Sequence, residues 1–331
     1  MQLPRRRFLR LAASVAASLG AGLAAAPRIA RAEAYPSRPV RLIVPFAAGG
    51  PTDLFARLMA SKMSEQTGKS FYIENVGGAG GNVGSARAAQ SAPDGYTLLV
   101  TGGSHVNNPF LYSHVPYDPF KDLEAVTLGA IQPVVLAVHP SVPAQTVKEF
   151  VALVKANPGK YSFASPGVGT PPSLVGELFR LSYAPDLVHV PFNGGGPAVG
   201  STVAGHTPAS FGAMAPALPM IKDGKLRALA VASKTRAQAL PDVPTMAESG
   251  FPDVEGSTWT AVVVPFGTPK DIIAQLHRLM AGILKQPDVK EKLAAMASEA
   301  IGNTPEECNE FFKTESAKWS KVIKSAAIRA D

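Results

Sequence analysis

One pattern recurs five times in the sequence and restricts the fold more than any other. It is a short apolar run, a glycine-rich turn, and then residues that begin a helix. The first copy runs from the apolar stretch 42–46 through Ala47, Ala48, Gly49 and Gly50 to Pro51, Thr52 and Asp53. An apolar, β-branched run this short reads as a buried strand, and Leu54, Phe55, Leu58, Met59 and Met63 then recur at helical spacing. Thr52 is the expected N-cap, with Asp53 in the first turn. The second copy joins 71–74 to the glycines between Asn75 and Gly84, and the third joins 96–101 to Gly102, Gly103 and the run Ser104 to Asn108. The fourth and fifth end strands 161–164 and 187–190 with the turns 165–170 and 191–197. Strand, turn and helix in this order predict an α/β fold with mainly parallel sheets flanked by helices.

The five copies fall into two groups. A proline-broken stretch, 112–122, and a long apolar run, 126–138, lead out of the first group, and the apolar run 259–264 leads back. Two crossings predict a discontinuous first lobe, 33–132 plus 259–331, with a second lobe, 133–258, inserted into it. Two helices close the chain. Thr268 and Pro269 are expected to cap one, and Thr304-Pro305-Glu306-Glu307 the other. Phe311, Phe312 and Trp319 on the last helix are expected to pack on the first lobe.

Glycine turns at strand ends let backbone N–H groups approach a ligand closely, and a helix start adds favourable dipole for an anion. An ordinary strand–helix connection would look the same at any one copy; five copies favour binding. The turn side chains are Thr, Ser, Asn and Ala, without Arg or Lys, so an anion there would be held by backbone donors. Such a site suits a carboxylate. His105 lies in one of these turns, where a ligand contact and a structural role both remain open.

The formal charge of +7 does not point to nucleic acid or membrane lipid. Residues 1–32 hold six of the 32 basic residues and no acid, leaving 26 basic against 25 acidic. In that leader, Arg5-Arg6-Arg7-Phe8-Leu9-Arg10 resembles a twin-arginine export motif, an apolar run follows, and Ala30-Arg31-Ala32 fits a small-x-small cleavage rule. Export to the periplasm is expected, with cleavage before Glu33. Cys308 is the only cysteine, so no intramolecular disulfide can form.

Enzyme signatures are scarce. The sequence has no Gly-x-Ser-x-Gly elbow, no His-Glu-x-x-His, no Cys-x-x-Cys and no Walker loop. The run from Gly78 to Gly84 misses the dinucleotide fingerprint by one position and lacks its acidic partner. The six histidines show no i,i+4 pair. No cofactor, metal or catalytic residue is expected.

Longer stretches carry a family resemblance. They include Tyr35-Pro36-Ser37-Arg38-Pro39, Val44-Pro45-Phe46 with Gly49-Gly50 and Asp53, and Glu74-Asn75 with Gly78-Ala79-Gly80-Gly81-Asn82. Further on are Ala92-Pro93-Asp94-Gly95-Tyr96-Thr97, Pro116-Tyr117-Asp118-Pro119, Leu240-Pro241-Asp242-Val243-Pro244-Thr245 and Glu248-Ser249-Gly250. Over nearly all of the chain beyond the leader they resemble the Bug family, the TctC-type periplasmic receptors of tripartite tricarboxylate transporters. The resemblance implies a two-lobed periplasmic-binding-protein (Venus flytrap, type II-like) fold and a small carboxylate ligand in an interlobe cleft. It assigns ligand contacts to Phe46, Ala48, Gly49, Gly50, Thr52 and Asp53 in the first turn, and to Ser165, Gly167, Gly169 and Thr170 in the second. Thr101, Ser104 and His105 lie near the first, and Phe192, Asn193 and Met214 lie on the second lobe.

Departures from the family pattern bear on the ligand. Ser173 stands where many members have His, Asn193 where Lys is frequent, Gly212 where a polar residue is frequent, and Met220 where His is common. These losses favour a di-, tri- or aromatic carboxylate over an amino acid. The resemblance also implies a monomer that delivers its ligand to membrane permease subunits. The alternative is a ligand-dependent sensor subunit for a membrane histidine kinase.

Overall fold

The computed structural model describes residues 35–330, so the leader and its expected export motif lie outside the described residues. The elements follow the expected order, with strand β1 (Val40–Val44), helix α1 (Pro51–Thr67), β2 (Phe71–Asn75), α2 (Asn82–Ala89), β3 (Thr97–Thr101) and α3 (Ser104–Leu111) forming the first group. A 16-residue strand, β4 (Leu123–Val138), leads to α4 (Val147–Ala156), β5 (Ser162–Ser165), α5 (Pro171–Tyr183), β6 (Val188–Pro191), α6 (Gly195–Val203), β7 (Ala209–Ala213), α7 (Met214–Lys222) and β8 (Arg227–Val231). The chain returns along β9 (Ser257–Pro265) and ends with α8 (Lys270–Leu284), α9 (Pro287–Ala295), the short β10 (Glu299–Ala300) and α10 (Pro305–Ser325).

The strands form one continuous sheet in the order β2-β1-β3-β9-β4-β7-β5-β6, with β8 and β10 also pairing with β4. Its outer pairs are parallel, as the strand–helix repeats require: β1 with β2 and β3, and β5 with β6 and β7. The centre is antiparallel, because β4 and β9 cross between the two groups as a pair running in opposite directions. The sheet as a whole is therefore mixed, parallel within each outer group as expected and antiparallel where β4 and β9 cross.

Register explains where a ligand could sit. β3 reaches Thr101 opposite Ala261, which in turn lies opposite Leu128 of β4. From the other side, β7 reaches Ala213 opposite Val134. β1 and β3 run with β4, whereas β7 and its parallel neighbour β5 run against it. The C-terminal ends of both strand groups thus converge on the middle of β4, from Leu128 to Val134. Ligands of open α/β sheets bind beyond strand C-termini. Here two such edges face one another.

Each half has its own core. Ile43, Leu99, Leu128, Trp259 and Val263 belong to one buried cluster, and Leu136, Phe150, Phe163, Phe179 and Phe211 to another. The last helix is divided between them: Cys308 and Phe312 enter the first cluster, but Trp319 and Ile323 enter the second. The packing expected on the first lobe alone is thus shared, because a 21-residue helix is long enough to cross from one half to the other. Its start carries the expected capping box, in which Thr304 Oγ1 accepts the Glu307 N–H and Glu307 accepts the Thr304 N–H.

Candidate functional site

The turn after β1 is built by its neighbours. Gly49 has φ +85°, a backbone conformation that suits glycine. Its N–H donates to Asp53 Oδ2 at 2.9 Å, so the turn folds back on the first helical residues. Arg57 approaches the same carboxylate with two nitrogens, at 2.8 and 3.1 Å, and Asn75 Nδ2 donates to Asp53 Oδ1 at 2.9 Å. Asn75 also donates to the Phe46 carbonyl at 3.1 Å, which closes a ring of bonds around the turn. Burial works against the Asp53 charge, but the Arg57, Gly49 and Asn75 bonds outweigh it and hold its carboxyl below the usual range.

The consequence is a division of labour. Asp53 is fully engaged and 1% exposed, so it braces the turn instead of presenting an oxygen to a ligand. Thr52 does not cap the helix. Gly50 occupies the N-cap position without a side-chain bond, and Pro51 is the first helical residue. Ala47, Ala48 and Gly49 are exposed, and the N–H groups of Ala48 and Gly50 take no acceptor among the described residues. With the first-turn N–H groups of α1, which have no intrahelical partner, they make this turn a cluster of backbone donors.

The turn after β5 is built differently. Gly167 and Gly169 have φ of +139° and +77°. Thr170 Oγ1 donates to the Gly167 carbonyl at 2.8 Å, and the Ser165 and Pro166 carbonyls accept the N–H groups of Phe192 and Gly194, each at 2.9 Å. The last two bonds tie the turn after β6, with half-buried Phe192 and exposed Asn193, to the turn after β5. α3 supplies the seam between the halves. A side chain at Gly103 would overlap the Pro171 ring, and one at Gly169 would overlap Leu111. Along this seam the Thr101 hydroxyl and both polar atoms of the Asn107 amide are buried without a partner among the described residues. Ser104, the first residue of α3, is 9% exposed.

A family model, the tripartite tricarboxylate transporter family receptor (TctC), matches residues 55–328. The chain belongs to this receptor family. Among its relatives is the protein BugT of Bordetella pertussis, 35% identical over 300 residues, covering 90% of this chain and 92% of BugT. Among solved structures, an R. palustris protein with adipate superimposes with TM-score 0.84 at 32% identity, covering 89% of this chain and 99% of that one. MatC from Rhodopseudomonas palustris with bound malate gives TM-score 0.78 at 33% identity, with 87% and 100% coverage.

Besides Asp53, two expected contacts of this TctC-family chain turn into the interior. His105 turns into the first core: its ring stacks on Tyr117 at 5.8 Å and meets Phe312 edge-on at 5.5 Å. Burial pushes its pKa down to about 4, against a smaller opposing effect of the Pro119 backbone. It is a neutral packing residue at pH 7. Met214 opens α7 with no exposed surface, packed in a cluster with Val135, Ala217 and Val231. Both follow strand ends in the sequence, but α3 and α7 turn these side chains inward.

Asn75 and Asn107 lie outside the set of contacts expected from the sequence. For Asn75 a signal exists, since an amide directly after a strand that neighbours β1 can reach the first turn. For Asn107 none does, because its place depends on a helix that begins at a glycine pair.

Proposed function

We propose that the chain is a periplasmic receptor that captures a small carboxylate, with a dicarboxylate as the leading class, between its two sheet halves. The observation that carries this is the pair of facing turns. Each follows a strand C-terminus, each leads into a helix, and the first offers unpaired backbone N–H groups with no cationic side chain free to dominate it. Arg57, one turn into the helix that follows the first turn, is engaged by Asp53. A carboxylate suits such donors, since its two oxygens accept several N–H bonds, each stronger for the charge. Adipate and malate in two similar structures support the same chemistry.

The halves act as lobes, 33–132 plus 259–331 and 133–258, hinged on β4 and β9. The closed form hands its ligand to membrane permease subunits, and the twin-arginine leader directs export. No helix among the described residues is long and apolar enough to cross a membrane. A thermal-shift screen of mono-, di- and tricarboxylates, aromatic acids, amino acids and sugars tests the reading. A ligand at about 100 times its dissociation constant stabilises by roughly 2.7 kcal/mol. A response to sugars or amines alone would overturn it.

A further inference from the structure

Three polar side chains behind the second turn form a directional chain. Ser165 Oγ lies 2.6 Å from His189 Nε2, and His189 Nδ1 lies 3.1 Å from Glu177 Oε1. Arg180 Nε donates to the other Glu177 oxygen at 2.8 Å. Burial disfavours the Glu177 charge, but the His189 and Arg180 bonds outweigh it and hold the carboxyl below its usual range. Glu177 is therefore an acceptor, so His189 Nδ1 carries the proton of that bond. In the neutral ring Nε2 then accepts, and the Ser165 hydroxyl donates to it. The Ser165 oxygen keeps a lone pair for the Gly167 N–H, at 3.3 Å. Every donor in the chain has one acceptor.

The fold holds this line stiffly. The His189 ring stacks on Phe163 at 4.6 Å with 3° between planes. Gly176 lets α5 approach the same phenyl ring, where any side chain would collide, and so brings Glu177 within reach. The order Ser–His–Glu is that of a nucleophile, base and orienting acid. Ser165 has no exposed surface, however, and its oxygen is occupied by Gly167. Its Oγ is built to hold the turn.

We propose that Glu177, His189 and Ser165 are a positioning relay that sets the geometry of the 165–170 turn and thereby its affinity for ligand; this rests on the carboxylate-receptor reading above. By taking the Gly167 N–H, Ser165 removes that group from the set that can meet a ligand. The Val168 and Gly169 N–H groups, which take no acceptor among the described residues, are left as the donors of this turn. Because the Ser165 carbonyl also accepts the Phe192 N–H, the relay fixes the neighbouring turn as well.

Calorimetric titration of the full chain with adipate and with malate tests the relay. If wild type binds neither these nor another carboxylate, the receptor reading fails, whatever the variants do. Given wild-type binding, Ser165→Ala and His189→Phe should each weaken it at least tenfold. His189→Gln, whose amide can donate to Glu177 and accept from Ser165, should recover most of the loss. In nitrogen-15 spectra the His189 Nε2 signal should move on Ser165→Ala and on saturation with ligand. Wild-type affinity in both Ser165→Ala and His189→Phe, or a His189 signal indifferent to ligand, would overturn the proposal. Should His189→Phe fail to fold, Ser165→Ala and the nitrogen signal decide. Ester hydrolysis by wild type that Ser165→Ala abolishes would overturn it too, by making Ser165 a nucleophile.

Discussion

Asp53 Oδ2 accepts the Gly49 N–H at 2.9 Å, so the first residues of a helix hold the turn that precedes them. The turn's shape depends on an acid that no ligand needs to touch. Asp53→Ala should lower affinity for adipate or malate at least tenfold, as measured by calorimetry. It should also cost about 1–3 kcal/mol of stability, the usual range for unpairing a charged group that is only partly shielded. The Arg57 side chain is 52% exposed, which keeps the estimate below that for a buried pair. Unchanged affinity would mean that the turn keeps its shape without this brace.

Two glycines test the grip itself. A Cβ at Gly50 would meet nothing closer than the Ala47 carbonyl at 3.8 Å, so the protein has room for Gly50→Val. The variant should fold with a melting temperature near wild type and yet lose ligand, because its methyl groups stand where the anion approaches. Gly103→Ala acts on the seam instead. Its Cβ would wedge against Pro171 and push α3 from α5. Affinity should fall severalfold, with about 1–3 kcal/mol lost to overpacking, and small-angle scattering should show a larger ligand-bound radius than wild type. A ligand-bound radius equal to wild type would show that the seam yields locally.

His105 makes stability depend on pH. Its folded pKa of about 4 lies below the ordinary 6.5, so between these values the unfolded chain binds a proton that the folded chain refuses. Stability therefore rises with pH across this window and is lost as pH falls from 6.5 towards 4. The full effect is on the order of 3 kcal/mol. Asp53 works in a lower window: with its carboxyl held below 3.8, its support is intact above that pH and fades beneath it. His105→Phe keeps an aromatic ring between Tyr117 and Phe312 and should flatten urea-denaturation midpoints between pH 6.5 and 4. A slope equal to wild type would place the acid sensitivity in another group.

How much of this was legible follows from how local each feature is. Leu42, Ile43 and Val44 are all buried because both faces of β1 are covered, so an unbroken apolar run marks the strand. The Thr304 capping box is equally local. The helix Ser104–Leu111 is not, since it follows two glycines and contains Pro109, and burial of Val106 and Leu111 makes it helical against propensity. Which way His105 and Met214 point depends on that kind of packing. The relay is less legible still. Ser165 and His189 are 24 residues apart, and only the β5–α5–β6 crossover sets them beside Glu177.

The same reasoning applies to the joint between the cores. Glu315 Oε2 accepts from Trp259 Nε1 at 3.1 Å and from Trp319 Nε1 at 2.9 Å. Trp259 belongs to the first core and Trp319 to the second, and both are almost completely buried. One oxygen thus satisfies two indoles, one from each core. Glu315→Leu would strand two buried N–H donors at once, at about 1–3 kcal/mol each. The expected loss is therefore about 2–6 kcal/mol in urea denaturation followed by tryptophan fluorescence. Glu315→Gln retains an acceptor oxygen and should lose less than half as much. If Glu315→Leu cost under 1 kcal/mol, the indoles would have other acceptors, and α10 would join the halves by apolar packing alone.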